Sequence, residues 1–197
     1  MIEARKVVTI YAESTPNPAA MKFVANSFLL KEGSVEYLNI LEARNSPLAQ
    51  KLFAFDGVAS VFIAANFVTI NKKPKYDWYD LMPILREFIK GYIESGVKVF
   101  AGPSGQKADE KIEQTTTTNK VESKIIEMLD EYVKPAVEGD GGAIHFKSFD
   151  ENDGKLTLVL KGACSGCPSS MVTLKAGIER LLKQYIPEVQ EVVAEEQ

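Results

Sequence analysis

The chain has 197 residues, 45% hydrophobic and 25% charged, an ordinary composition for one large or two small globular domains. The net charge of −4 argues against nonspecific nucleic-acid binding, and no apolar run approaches the roughly 20 residues that span a bilayer. There is no signal-peptide core at the start, and two cysteines are too few for a disulfide framework, so we expect a cytoplasmic protein that binds no membrane.

The first hundred residues predict a small domain of strands and helices. Alternating β-branched and aromatic side chains indicate the strands, and Ser46 followed by Pro47 indicates a helix start. In chain order we expect a strand at 5–14, a turn at 15–18, a strand at 21–30, a short helix from Ser46 to about Asp56, a hairpin at 58–70 turning at 65–66, and a basic turn at 71–75.

The hydrophobic period changes near Asp77, where apolar residues begin to recur at steps of three and four. This spacing predicts one face of an amphipathic helix, most simply a core face. Its members are Trp78, Leu81, Met82, Leu85, Phe88, Ile89, Tyr92 and Ile93. Pro83 lies early in the pattern, so either the regular helix begins near Asp80 or it kinks at the proline.

Residues 101–118 predict a flexible linker, because a Gly-Pro-Ser-Gly run, a charged patch and four threonines cannot bury an apolar face. The sequence therefore predicts an α+β protein with domains at 1–100 and 119–197. Each domain is expected to have a small, mostly antiparallel sheet with helices packed on one face. Residues 1–100 carry 12 basic and 10 acidic side chains, whereas residues 101–197 carry 11 and 17, so the halves could serve different partners.

The second domain begins with Asn119 as the predicted N-cap of a helix that runs to about Lys134, where Pro135 ends or kinks it. In chain order, we then expect a turn at 138–142, strands at 143–149 and 155–160 joined by a hairpin turn at 151–154, a loop holding both cysteines, an amphipathic helix from about Met171 to Tyr185, and a final short strand at 189–193.

Cys164 and Cys167 are the only cysteines, and they lie two residues apart at a predicted strand-to-helix junction. A helix N-terminus favours thiolates, and Pro168 suits the first helical position. Such a pair could hold an iron–sulfur cluster, act as a dithiol redox catalyst, or supply half of a zinc site. The spacing alone leaves these three interpretations open.

The longer pattern around the pair resembles the C-terminal domain of NifU-type (Nfu) iron–sulfur cluster scaffold and carrier proteins. It includes Asp140-Gly141-Gly142, the run from Gly162 to Ser170, and Ile186-Pro187-Glu188-Val189. The first domain resembles the Nfu N-terminal domain, through Thr15-Pro16-Asn17-Pro18, Asn66-Phe67-Val68-Thr69-Ile70 and Asp77-Trp78 among other segments. The two matches cover nearly all of the chain except the linker.

The resemblance implies a non-enzymatic protein that receives clusters from a donor scaffold and passes them to apo-proteins. It implies a labile [4Fe-4S] cluster, or sometimes [2Fe-2S], bridging a homodimer. A cluster generally takes four thiolates, and one chain has only Cys164 and Cys167, so two chains would have to share it. In this chain Lys134-Pro135-Ala136 stands where the family often has Arg-Pro-Tyr, so contacts made by that Arg or Tyr are not expected here.

Two other functions stay as alternatives, a thiol–disulfide oxidoreductase and a zinc-stabilised interaction module. A redox C-x-x-C is expected near a βαβ pattern, whereas this pair follows a predicted antiparallel hairpin. Among the remaining candidates, the single histidine, His145, is most simply a half-buried sheet residue, and Asp140 is most simply a turn residue. Gly141-Gly142 precedes a strand, whereas phosphate-binding glycine loops precede helices.

Overall fold

The computed structural model describes residues 7–101, 119–165 and 168–196. The chain divides into two compact units, with the boundary between Asp109 and Glu110. The predicted linker lies outside the described residues except for its first residue, and Cys167 also lies outside them. Among the described helices, none is both long and apolar enough to cross a membrane.

The first unit is a five-stranded sheet with two α-helices and one 3-10 turn. Its elements are β1 (Ile10–Ser14), β2 (Ala20–Ala25), β3 (Ser34–Tyr37), the 3-10 turn (Glu42–Asn45), α1 (Pro47–Leu52), β4 (Val58–Ala64), β5 (Phe67–Lys72) and α2 (Trp78–Glu94). The strands lie in the order β1-β2-β5-β4-β3, and every neighbouring pair is antiparallel. The predicted α+β architecture is confirmed.

One face of this sheet forms the core with the two helices. Phe23 lies opposite Val68, which lies opposite Ile63, and Ile63 in turn lies opposite Val35, so one row of side chains crosses four strands. All four residues are buried in one hydrophobic cluster with α1 and α2. Because side chains alternate across a strand, this single register places every second residue of the sheet against the helices.

Helix α2 contains Pro83, which left the first residue of the helix undecided in the sequence. Asp77 is the N-cap, and its carboxylate accepts a hydrogen bond of 2.7 Å from the backbone N–H of Tyr79. The helix runs through Pro83 in its second turn, and the predicted apolar face supplies its buried residues, namely Leu81, Leu85, Ile89 and Tyr92. The N-cap thus fixes the helix start upstream of the proline, at Trp78 rather than near Asp80.

The sequence did not predict β3, and it predicted longer strands at both sides of the first turn. Four residues put only two side chains on each face, so β3 gives too short a run to show alternation. The second strand ends at Ala25 rather than at residue 30. The backbone N–H of Asn26 still donates to the carbonyl of Thr9, but the N–H of Thr9 donates to the side-chain oxygen of Asn26 instead of its backbone carbonyl, and regular pairing ends there.

The second unit is a three-stranded sheet covered by helices. Its elements are α3 (Lys120–Met128), a π-helical turn (Leu129–Val133), α4 (Lys134–Gly139), β6 (Gly142–Asp150), β7 (Lys155–Gly162), α5 (Pro168–Tyr185) and β8 (Glu191–Glu196). The strand order is β6-β7-β8, with β6 and β7 antiparallel and β8 parallel to β7. The final strand, β8, lies slightly later in the chain than the predicted range of 189–193.

The helical segment before β6 passes through Pro135 instead of ending there. A proline cannot donate to the carbonyl four residues earlier, and its ring collides with it. The chain avoids this conflict with a π turn, in which the N–H of Lys134 donates to the carbonyl of Leu129, five residues earlier. The extra residue widens the turn ahead of Pro135, so that α4 continues to Gly139 and delivers the chain to the start of β6.

Buried apolar residues of all these elements form the core of the second unit. Ile125, Leu129 and Val133 face it from the first helical segment, and Ile178 and Leu182 face it from α5. The strands contribute their inward-facing residues, which include Ile144, Leu156, Leu158, Leu160 and Val192. The core therefore holds α5, and with it the end of the cysteine loop, against the sheet.

Candidate functional site

Cys164 lies in a tight turn directly after β7. Gly162, the last residue of the strand, has φ of +69°, a value that residues other than glycine rarely adopt. Its carbonyl accepts two hydrogen bonds from Ser165, one of 2.9 Å from the hydroxyl and one of 3.3 Å from the backbone N–H. These bonds close the turn around Cys164 and fix the direction in which its side chain leaves the backbone.

The start of β6 forms the other side of the site. Gly142 pairs with Gly162 in the antiparallel ladder. The carbonyl of Gly141, a residue with φ of +83°, accepts a hydrogen bond of 3.1 Å from the N–H of Ala163. The Asp-Gly-Gly run and the cysteine loop are thus neighbours, although about 20 residues separate them in sequence.

Gly142 touches the cysteine itself. A Cβ atom built on Gly142 would lie 2.6 Å from the Sγ of Cys164 and 2.7 Å from the carbonyl oxygen of Lys161. Distances below 3.0 Å are essentially never seen for real Cβ atoms, so only glycine fits here without displacing its neighbours. Sequence reasoning interpreted this glycine as a turn residue, and the Asp-Gly-Gly motif was the only signal of its role.

The thiol of Cys164 faces inward. The residue is 7% exposed, and it belongs to the hydrophobic cluster of the second unit together with Ile144 and Leu160. It forms no disulfide. Helix α5 begins at Pro168, at the first helical position that the sequence predicted. Gly166 and Cys167 lie between the turn and the helix, outside the described residues.

The remaining candidates also belong to the second unit. His145 is a partly buried residue of β6 opposite Val159, and Asp140 is the C-cap of α4. In the part of the chain that the structure describes, no three residues among histidine, cysteine, aspartate and glutamate come together as a metal site. The structure describes the position of Cys164 and not that of Cys167, and as ligands both stay sequence-based predictions.

Glu179 fastens α5 to the sheet. Its carboxylate accepts a hydrogen bond of 2.7 Å from the ammonium of Lys183 and one of 3.2 Å from the backbone N–H of Val192 in β8. The bond from Lys183, followed by that from Val192, lowers the pKa of Glu179 below its ordinary value. This link joins the helix that follows the cysteine loop to the edge strand of the sheet.

We expect Glu179→Gln to lower the free energy of unfolding by about 1 kcal/mol at neutral pH, since the charged acceptor is lost. A lowered carboxyl pKa stabilises the fold above the ordinary value of 4.5, and that stabilisation disappears as the pH falls through the folded-state value. Urea unfolding of the variant and the parent should therefore converge below about pH 4.5. The control is Glu188→Gln, which alters an exposed carboxylate of the same unit. If the difference in unfolding free energy between Glu179→Gln and the parent stayed unchanged at acid pH, the ionised Glu179 carboxylate would not be its source.

Comparison with known families gives two adjacent matches. The family described as "Scaffold protein Nfu/NifU N terminal" matches residues 10–96, which lie in the first unit. The family described as "NifU-like domain" matches residues 125–193, which lie in the second unit and include the cysteine loop. The resemblance stated from the sequence is therefore confirmed for both halves of the chain.

Similar whole proteins match this chain along nearly its full length. "NifU-like protein 5, mitochondrial" of Arabidopsis thaliana is 37% identical over 194 residues, which cover 98% of this chain and 70% of that protein. The human protein named "NFU1 iron-sulfur cluster scaffold homolog, mitochondrial" is 37% identical over 186 residues, which cover 93% of this chain and 70% of that protein. A NifU-like protein of Schizosaccharomyces pombe is 37% identical over 195 residues, with coverages of 98% and 74%.

These relatives correct one expectation. The sequence predicted a cytoplasmic protein, but the Arabidopsis and human relatives carry names that place them in mitochondria. That prediction rested on the pattern of the first residues and on the cysteine count, and neither is a sound guide to location. The cytoplasmic assignment is wrong, and the relatives point to a mitochondrial one. Both domain matches and the identities over nearly the full chain show that the protein belongs to the Nfu/NifU family of iron–sulfur cluster scaffold proteins.

Proposed function

We propose that this chain carries an iron–sulfur cluster between two subunits, each of which supplies Cys164 and Cys167, and passes that cluster to apo-proteins. The observation that carries the proposal is the thiol count: the whole sequence has two cysteines, and both lie in one loop. Cubane and rhombic clusters are generally held by four thiolates. A single chain supplies half of these ligands, so a two-fold pair of chains completes the set.

The surroundings of Cys164 support this assignment. The thiolate is the chemical form that binds iron, and the loop leads directly into the N-terminus of α5, where the helix dipole favours negative charge. The neighbouring residues Ser165 and Gly166 are small, which suits the close approach of a second copy of the loop. We favour a [4Fe-4S] cluster, with [2Fe-2S] as the smaller possibility.

The shared site also accounts for transfer. A cluster that is held between two subunits loses half of its protein ligands when the pair separates. Thiols of an acceptor protein can then replace them by ligand exchange. The protein is then a carrier rather than an enzyme. It receives the cluster from a donor scaffold and passes it to client apo-proteins. We propose that the first unit contributes recognition of those partners, because its charge differs from that of the second half.

Two rival functions predict different results. The cysteine turn follows the antiparallel hairpin of β6 and β7, as expected, but it also lies inside a βαβ unit formed by β7, α5 and the parallel strand β8. The topology therefore does not argue against a thiol–disulfide oxidoreductase, contrary to the expectation from the sequence, and the two rivals are separated by experiment. Catalytic turnover in insulin reduction would favour that enzyme over the carrier. Tight zinc without sulfide, in protein purified without oxygen, would favour a zinc-stabilised interaction module.

Anaerobic reconstitution of the full chain with iron and sulfide tests the proposal. We expect a brown species with about half a [4Fe-4S] cluster per chain, measured by iron and sulfide analysis and by Mössbauer spectroscopy. Sedimentation should show that the loaded species contains two chains. A fully loaded species that sediments as one chain, with no small thiol completing the ligand shell, would contradict the shared site.

A further inference from the structure

The burial of Cys164 is in tension with its proposed role. A ligand of a cluster shared by two chains must reach an atom outside its own unit. The residue is instead 7% exposed and packed in the hydrophobic cluster of the second unit. The structure therefore shows Cys164 largely enclosed by its own unit, so the residue has to become more exposed to bind a cluster that a neighbouring subunit shares.

Gly142 provides the surface on which the thiol rests. The position of a Cβ on this residue would lie 2.6 Å from the Sγ and 3.2 Å from the Cβ of Cys164, so the sulfur occupies the space that any other residue would fill. The hydrogen bond from Ala163 N–H to the carbonyl of Gly141 holds the turn against the start of β6. The contact therefore exists because Gly142 of β6 has no side chain, which leaves room for the thiol on the turn that follows β7.

The two glycines beside this contact have backbones suited to movement. Gly141, directly before β6, has φ of +83°, and Gly162, the last residue of β7, has φ of +69°. Glycine occupies both positive and negative φ at little steric cost, so these positions can change conformation without the penalty that a side chain would impose. The bond between Ala163 and Gly141 must open for the turn to lift.

We propose that Gly142 is a positioning residue for the cluster ligand: it forms a seat that holds the thiol of Cys164 inside the apo-protein, and Cys164 leaves this seat to bind the shared cluster. This inference rests on the proposed function, because it concerns how a ligand of that cluster is presented. The seat keeps the apo-protein's thiol away from stray electrophiles until a cluster is delivered. Exposing the thiol then becomes a step of loading.

Alkylation of a single-cysteine protein tests the seat directly. In Cys167→Ser the full chain retains one thiol, so the rate with iodoacetamide reports Cys164 alone. We expect the folded chain to react roughly tenfold or more slowly than the same chain unfolded in guanidinium, because reaction requires local opening. Rates measured across a range of pH separate access from the fraction of thiolate. Equal rates in the two states, after that correction, would overturn the proposal.

Three glycine substitutions in the same background test the role of Gly142. In Gly142→Ala the new methyl group would meet Sγ of Cys164, so the thiol should react several-fold faster. Gly154→Ala is the matched control, since its methyl group would lie 2.5 Å from the carbonyl oxygen of Glu188 and would strain the same sheet away from the cysteine. Gly177→Ala, whose methyl group meets nothing within 4 Å, is the neutral control.

The comparison is made at matched stability. If Gly142→Ala accelerates alkylation more than Gly154→Ala for the same loss of unfolding free energy, Gly142 acts on the thiol and the proposal is supported. If both follow one relation between rate and stability, Gly142 is only structural and the proposal is overturned. Should Gly142→Ala fail to fold, the comparison of folded and unfolded Cys167→Ser still decides whether the apo-protein holds the thiol of Cys164 away from solvent.

Cluster reconstitution of the parent protein separates this inference from the proposed function. A parent that assembles half a cluster per chain, while Cys164 reacts in its apo form at the unfolded rate, would refute the seat and leave the carrier function standing. Slow alkylation in a protein that binds no cluster would support the seat and refute the function assigned to its cysteine.

Discussion

Replacing Cys164 with alanine is expected to abolish stable cluster binding and to leave the fold of the second unit intact. A pair of variant subunits offers two thiolates where a cluster generally takes four. Loss of residues that merely support a metal ligand already weakens binding by about 10–100-fold, and loss of the ligand itself should exceed this. The cluster bound after anaerobic reconstitution, measured by absorption and iron content, should fall to a small fraction of that in the parent.

The fold should survive because the substitution removes one sulfur atom from a site that is closed by backbone contacts. The turn is held by Gly162, Ala163 and Ser165 through bonds that the Cys164 side chain does not make. Circular dichroism and the unfolding midpoint should therefore change little. Cys164→Ser, which keeps the size of the side chain but replaces the soft thiolate with a poor ligand, should lose the cluster to the same degree.

His145→Gln is the matched control for this experiment. His145 is the only histidine of the sequence, and histidine supplies the nitrogen ligand of some iron–sulfur and zinc sites; it lies in β6 of the same unit. We expect the control to bind as much cluster as the parent. A Cys164→Ala protein that still assembled a stable cluster, or a control that lost it, would contradict the ligand set.

Local patterns predicted those parts of the fold that are decided by local chemistry. The apolar period of α2 identified its buried face, and Ser46 with Pro47 identified the start of α1, where the Ser46 hydroxyl accepts from Ala49 N–H as a cap should. The hairpin of β4 and β5 turns at Ala65, whose φ of +39° fits the predicted turn. Such features depend on residues within a few positions of one another, so one sequence contains the information.

The features that sequence reasoning missed depend on distant residues. The parallel pairing of β8 with β7 follows from a helical crossover, and the short strand β3 exists because β4 offers it an edge. The contact of Gly142 with Cys164 depends on the register of β6 and β7, which sets which glycine lies beside which turn. No local pattern states a register, so the motif showed that both segments mattered but not that they touch.

The π turn is a third case of this kind. Pro135 alone predicts a break or kink, because a proline in a regular helix loses one hydrogen bond and collides with a carbonyl. The chain escapes by inserting one residue, a solution that depends on keeping Leu129, Val133 and Val137 buried along the same face. Burial of that face outweighs the tendency of Pro135 to end the helix, and burial can be judged only once the tertiary structure is known.

The core of the second unit supplies the largest expected effect on stability. Leu182 is completely buried in α5, where it packs in the cluster that also contains Cys164. Leu182→Ala should lower the free energy of unfolding of this unit by about 3 kcal/mol, since comparable buried leucines lose 2–5 kcal/mol through lost burial and a residual cavity. Small domains are stable by about 5–15 kcal/mol, so this is a large share of the total.

The consequence should extend to the site. Residues of α5 hold the helix against the sheet, and the cysteine loop ends where that helix begins. A unit that unfolds more often should expose Cys164 more often, so the alkylation rate of Leu182→Ala in the Cys167→Ser background should rise with the loss of stability. Thermal and urea unfolding of the full chain provide the stability scale for that comparison.

Val172→Ala is the matched control, because Val172 lies on the same helix with 68% of its surface exposed. It removes less apolar volume, and none of it from the core, so stability should change by less than about 0.5 kcal/mol. The first unit has its own hydrophobic cluster, so its unfolding transition should stay in place in both variants. Equal losses from Leu182→Ala and Val172→Ala would mean that α5 does not hold the cysteine loop through its buried face, and the link between core packing and thiol exposure would fail with it.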